Sequence, residues 1–256
     1  MRIYNSLTDK LEEFKPIKEG QVSMYVCGPT VYNYVHIGNM RPVITFDMVR
    51  NYLEYLGYKV TYASNFTDIN PKIIKAAEEL GITEREVANK FIAAYLKDLE
   101  NYQCGKIDVH PTVIENLDNI YTFIQKLIEK GFAYEVDGDV YFRVSKIKDY
   151  GCLSNNTLSE LESGARLEID EKKEDPLDFA LWRKSNEGEH FTSPWGEGIP
   201  GWHTECVVMI NSLFGEKIDI HGGGVDLKFP HHENEIAQNK GACGKNPAHY
   251  WIHGEY

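Results

Sequence analysis

The chain has 256 residues, 42% apolar and 26% charged, enough to bury a sizeable core in one domain or in a domain carrying an inserted module. No apolar run spans a bilayer and no signal-peptide stretch opens the sequence, which excludes a membrane protein and points to the cytoplasm. The formal net charge of −12 argues against strong nucleic-acid binding by the chain as a whole, while leaving room for a local basic patch.

In chain order, residues 24–27 read as a short buried strand. A helix is expected over 42–56, where Val43, Phe46, Val49, Leu53 and Leu56 recur near helical spacing and Gly57 stops it. Residues 59–63 form a second strand, so the opening is a β-α-β unit of a parallel sheet. Two helices follow over 68–80 and 83–102, each with Asp or Thr near its start. Residues 114–130 carry one apolar stripe, Ile114, Leu117, Ile120, Tyr121, Ile124, Leu127 and Ile128, closed by Gly131.

Strands over 132–136 and 140–144 then flank Asp137-Gly138-Asp139, a hairpin signal. This departure from β-α alternation places an inserted α+β module at 115–200, between halves 1–114 and 201–256 of a parallel α/β fold. Residues 168–175 read as a charge-rich exposed linker. A helix at 207–213 and a strand at 218–221 feed a Gly222-Gly-Gly224 turn. A helix over 234–243 and a strand over 249–253 complete the pattern, and no internal repeat interrupts it.

The chemistry starts at residues 25–42, where a strand runs through a turn into a helix past His36-Ile-Gly-Asn39. Gly38 admits a ligand close to the backbone, His36 can donate to phosphate oxygens, and the helix start adds partial positive charge. A histidine that merely caps a helix gives the same four residues. Gly222-Gly-Gly-Val-Asp226 is a second nucleotide-site candidate, with Asp226 suited to ribose hydroxyls. Two such loops after separate strands suggest one shared ligand at the carboxyl edge of the sheet.

Five cysteines (Cys27, Cys104, Cys152, Cys206 and Cys243) are an odd number without a C-x-x-C pair, which favours metal or catalytic thiols over disulfides. His231 and Glu235, four apart, project from one face of a helical turn. With Cys27 and Cys206 they make a donor set suited to tetrahedral zinc. Spacing leaves His203, His232, Glu205 and Glu233 as rivals, and each cysteine can also be a small buried hydrophobe.

At these residues the chain resembles a known family. The strings C-G-P-T-V-Y-N-Y-x-H-I-G-N, N-F-T-D-I, P-G-W-H-x-E-C and D-I-H-G-G-G-x-D-L-x-F-P-H-H-E-N-E-I-A-Q closely resemble those of the cysteinyl-tRNA synthetases, which are class I aminoacyl-tRNA synthetases. The resemblance covers essentially the whole chain. It implies a Rossmann-like catalytic domain interrupted by a connective insertion, a monomer that activates L-cysteine with ATP and Mg2+ and transfers it to tRNA(Cys).

Residue by residue, the resemblance implies that Cys27, Cys206, His231 and Glu235 hold Zn2+. Gly28, Thr67 and Trp202 would line the cysteine pocket. Thr30, His36, Gly38, Asn39, Gly223 and Asp226 would contact ATP, with His36 and Asn39 as the catalytic pair of the family's H-I-G-H signature. Asn39 stands where the family has its last histidine. The family's K-M-S-K-S loop and its tRNA-reading helical domains would lie beyond Tyr256, so an N-terminal portion of the enzyme is expected.

Zinc would also answer a substrate problem, because a pocket discriminates sulfur from oxygen weakly by shape alone. A substrate thiolate ligating the metal gains far more than a serine hydroxyl does. The cysteine carboxylate would attack the ATP α-phosphorus in line, needing position and charge stabilisation but no general base. Two alternatives share these motifs: a cysteine ligase acting on an aminosugar in thiol-cofactor synthesis, and a non-catalytic zinc- and nucleotide-binding module.

Overall fold

The computed structural model describes residues 1–104, 107–155 and 170–255. The chain separates into two compact units: Met1–Glu115 with Ile218–Asp226 and Ala248–Tyr256, and Asn116–Lys217 with Leu227–Pro247. Compactness thus groups residues 201–217 and 227–247 with 116–200. Among the described residues no helix is long and apolar enough to cross a membrane.

The first unit opens with an antiparallel pair, β1 (Arg2–Asn5) and β2 (Lys10–Glu13). Its main sheet is parallel throughout, in the order β11–β10–β3–β4, from β3 (Gln21–Val26), β4 (Lys59–Ser64), β10 (Ile218–Gly224) and β11 (Ala248–Gly254). Helix α1 (Ile37–Tyr55) joins β3 to β4. Its Phe46 and Leu53 are buried with Met24, Val26, Val60 and Ile220 in one apolar cluster. Successive residues are buried toward the carboxyl ends of β3 and β4, Met24–Val26 and Tyr62–Ser64, as expected where both faces of a parallel sheet are covered.

Helix α1 begins five residues before the expected position of 42. His36 is its N-cap and Asn39 reciprocates in a capping box, so the helix nucleates ahead of Pro42, which sits inside it. Helix α2 (Pro71–Leu80) starts later than expected. Asn70 caps it by accepting from the Lys72 amide, and Pro71 supplies the preset first helical position. The Asp68 carboxylate instead accepts from the amides of Val113 and Ile114 and from Arg85. Helix α3 (Glu84–Asn101) follows with Thr83 and Glu86 as a capping box, and packs with α2 around Ile73, Val87, Phe91 and Tyr95.

In the second unit, α4 (Leu117–Glu129) buries Ile120, Phe123, Ile124 and Leu127, close to the expected stripe. The hairpin is also found: β5 (Ala133–Val136) and β6 (Asp139–Phe142) pair across Asp137 and Gly138. Both turn residues have positive φ, 53° and 90°, the requirement of a type I′ turn. Three strands not foreseen, β7 (Phe179–Lys184), β8 (Phe191–Ser193) and β9 (Gly196–Pro200), extend this to a sheet of order β5–β6–β7–β9–β8. Helices α5 (Glu205–Phe214) and α6 (Glu233–Cys243) complete the unit.

The charge-rich linker expected over 168–175 is corrected in part. Residues 168 and 169 lie outside the described residues, and the remainder is pinned rather than free. Glu174 takes both forks of Arg143 at 2.7 and 2.8 Å, its amide donates to Tyr134, and Asp170 accepts from the Tyr141 hydroxyl.

Asp219 is the polar tie of the first unit. Buried on β10, it accepts from the amides of Ile17 and Ser23 at 2.6 and 2.7 Å and from the Ser23 hydroxyl. Replacing Asp219 by Ala strands those donors and should cost about 2–4 kcal/mol in unfolding free energy by urea titration.

His110 provides a pH signature. Its ring stacks on Phe66 with centroids 4.7 Å apart and binds the Ser64 carbonyl, and burial holds its pKa below the ordinary value. Below about 6.5 the unfolded chain takes a proton that the folded ring resists. Stability should therefore fall as pH drops from that value toward the depressed one. His110→Gln should flatten this part of a urea-midpoint against pH curve, and an unchanged curve would contradict the assignment.

Candidate active site and metal centre

Within the first unit, β3 sits between β10 and β4 and its crossover through α1 leads to β4. The strand order therefore reverses between β3 and β10, the place where an open parallel sheet leaves a crevice at its carboxyl edge. The residues leaving that edge are Cys27 and Gly28 after β3, Asn65 and Thr67 after β4, and Asp226 after β10.

Gly28 is demanded by the chain itself. Its amide donates to the Asn65 side chain at 2.9 Å, and a Cβ there would lie 1.7 Å from the Asn65 carbonyl oxygen. Beyond it, Thr30 bridges to Thr67, with the Thr67 amide on the Pro29 carbonyl and the Val31 amide on the Thr67 carbonyl. Thr67 is buried and its hydroxyl accepts from Asn65 at 3.4 Å. These bonds fix the 27–31 segment as an extension of the sheet.

His36 and Asn39 are exposed at the start of α1. The His36 Nδ1 accepts from the Gly38 amide and the Asn39 Oδ1 accepts from the His36 amide, both at 3.1 Å. The capping alternative is thus realised, and it orients the imidazole by its Nδ1. No acidic residue occupies the first turn of this 19-residue helix, so its N-terminal partial charge is uncompensated from within.

The Gly222-Gly-Gly224 turn is corrected: these glycines are the last residues of β10. They pair with Ile252, His253 and Gly254 of β11, while pairing with β3 ends at Gly222. Gly222 is required by packing, since a Cβ would fall 2.1 Å from the Phe46 ring. Gly223 lies past the last β3 pairing, and Asp226 is exposed just beyond the strand.

Cys27 is half-buried, its amide on the Gly222 carbonyl at 3.1 Å. Its thiol and a ring nitrogen of His221 lie within 4.8 Å of each other. His221, wholly buried and stacked on Trp251 at 4.5 Å, was not anticipated, because nothing in a strand position marks a histidine as facing a thiol.

The second unit gathers the other metal candidates. Cys206 is buried in the first turn of α5, and His231 precedes α6, whose first turn holds Glu235. Donor atoms of Cys206, His231 and Glu235 all lie within 4.8 Å of one another. His231 Nε2 is 3.2 Å from Glu235 Oε1, and neither residue exposes more than 2% of its side chain. A carboxylate buried so completely costs much unless a cation or strong donors offset its charge. Thiol, imidazole and carboxylate together are a zinc-type donor set.

The rivals sort by what they touch. Glu233 accepts from the amides of Leu153 and Ser154 at 3.0 and 2.9 Å, a structural task. His232 Nε2 is 3.9 Å from the same Glu235 oxygen. His203 places Nδ1 3.1 Å from His231 Nδ1. Burial holds the His203 pKa down to about 4, with the Arg183 charge adding to the effect, so it stays neutral at ordinary pH. Trp202 is partly exposed and lies over His231, ring centroids 4.4 Å apart. Gln238 orders this corner by donating to the His203 carbonyl at 2.7 Å.

Residues 13–256 match the family model described as tRNA synthetases class I (C) catalytic domain. The chain is similar over its whole length to proteins named cysteine--tRNA ligase, at 57% identity in Anoxybacillus flavithermus and 58% in Geobacillus sp. strain WCH70. It spans 55% of the length of each of these relatives. Among solved structures, it is similar in fold to Mycobacterium tuberculosis methionyl-tRNA synthetase in complex with methionyl-adenylate. That likeness has a TM-score of 0.71 at 12% identity, over 92% of this chain and 57% of the other.

Proposed function

This chain belongs to the family of class I (C) tRNA synthetase catalytic domains, and on that premise we propose that it is the activating part of a cytoplasmic, monomeric cysteine--tRNA ligase. L-cysteine and ATP with Mg2+ are its small substrates, cysteinyl-adenylate its intermediate, and tRNA(Cys) its acceptor. The observation that carries the reading is a uncompensated helix start, with an oriented imidazole, beside the strand reversal of a parallel sheet. The names of the relatives favour this over an aminosugar ligase with similar motifs. Residues 115–200 are the connective insertion between catalytic halves 1–114 and 201–256.

His36 and Asn39, with Gly38 and Thr30, hold the ATP phosphates over the start of α1. There the amides and the imidazole oppose the charge that grows as pyrophosphate departs. Gly223 lets the nucleotide approach the end of β10, and Asp226 accepts from the ribose hydroxyls. Gly28, Thr67 and Trp202 bound the amino acid, so that its carboxylate reaches the α-phosphorus in line. Cys27, Cys206, His231 and Glu235 hold zinc, which when bound favours a thiolate over a hydroxyl. The buried Glu235 beside His231 supports this, since a carboxylate out of water calls for a cation or strong donors.

The reading is tested in the full-length gene product by cysteine-dependent exchange of pyrophosphate into ATP. His36→Ala should slow exchange about a hundredfold with zinc content unchanged. His36→Asn, which keeps a helix-capping side chain, should be slowed as much. Recovery of exchange by the asparagine would show that capping is the whole role of His36, and no exchange in the unaltered protein would favour a binding module.

The metal is tested separately. Glu235→Gln and Cys206→Ser should each lower zinc per protein by elemental analysis and erode preference for cysteine over serine in the exchange assay. Full zinc content in both variants would remove these residues from the ligand set.

A further inference from the structure

We infer that His203 is a positioning residue of the metal centre: its imidazole accepts the Nδ1 proton of His231 and so holds that ring with Nε2 as the ligand atom. The inference rests on the zinc reading above and adds to it a residue outside the ligand set. His231 presents its two ring nitrogens to different partners. Nε2 stands 3.2 Å from Glu235 Oε1, and Nδ1 stands 3.1 Å from His203 Nδ1. Among the described residues, the donor groups that gather within 4.8 Å include His231 but not His203.

A nitrogen–nitrogen contact of that length is a hydrogen bond only if one ring supplies the proton and the other the lone pair. A histidine that ligates through Nε2 carries its proton on Nδ1. The lone pair therefore falls to His203, which keeps its own proton on Nε2. The usual partner of a ligating histidine is a carboxylate, a backbone carbonyl or a water; here a second imidazole takes that place.

His203 is itself held for the task. Its carbonyl accepts from Gln238 at 2.7 Å, and Gln238 lies one turn after Glu235 on α6. Its ring meets Phe179 of β7 edge-on, with centroids 5.7 Å apart. Trp202 also covers His231, at 4.4 Å between centroids. Ring stacking restrains the tilt of an imidazole but is indifferent to which nitrogen carries the proton, so that choice is left to the hydrogen bond from His203.

The test is the zinc affinity of the full-length protein, measured by competition with a chelator, for two substitutions of matching shape. Asn keeps an acceptor oxygen near the place of Nδ1, and Leu fills a similar volume without one. His203→Leu should weaken zinc binding about 10- to 100-fold, and His203→Asn should recover most of that loss. In the unaltered, zinc-loaded protein, 15N spectra of labelled histidine should show His203 protonated at Nε2 and bare at Nδ1, a state that packing alone does not require.

The same zinc affinity in the Asn and Leu variants, or a His203 protonated at Nδ1, would overturn the proposal. Full affinity in all three proteins would remove the role of His203 and leave the zinc reading intact. No zinc binding by the unaltered protein would instead remove the zinc reading, and this inference with it.

Discussion

A parallel ladder sends successive strands out at the same edge, and this constraint organises the first unit. β3 is flanked on both sides by parallel partners, so the segments after β3, β4 and β10 emerge together. The reversal of strand order between β3 and β10 opens their exits into a crevice. Close packing then tightens the arrangement. Gly28 lies where the Asn65 carbonyl excludes any side chain, and Gly222 lies where Phe46 does the same. Asp219 secures the amino-terminal approach to β3 from the far side of the chain.

The second unit obeys a different rule. Helix α6 is buried on nearly every side although Glu233, Asn234, Glu235, Gln238 and Asn239 are polar. Burial is tolerated because most of these groups serve backbone that would otherwise be unsatisfied. Glu233 takes the 153–154 amides, Asn239 donates to the Glu216 and Lys245 carbonyls, and Gln238 donates to the His203 carbonyl. Glu235 also faces His231 and His232.

Several elements were legible from residues alone. The α4 stripe, the Asp137-Gly138 turn and the apolar cores of β3 and β4 follow from periodicity and turn chemistry that act over a few residues. The His36 region was legible in kind but displaced in extent, because a proline suggests a helix start and the capping box upstream overrode it. The triglycine segment misled for a related reason. Glycine usually marks a turn, but in β10 it admits Phe46 and continues a paired strand. Strands β7 to β9 escaped notice because β8 and β9 are short and β7 is held by β6, which lies far earlier in the chain.

The sequence by itself determined the β-α-β opening, the β5–β6 hairpin and the chemical types available for phosphate and metal. Local spacing and residue chemistry are sufficient for those. Only the tertiary structure decided which acidic residue of the H-H-E-N-E run braces backbone and which faces histidine. It also revealed His221 beside Cys27. Such pairings join residues far apart along the chain. They arise when strands enter register and helices close on one another, so no local pattern encodes them.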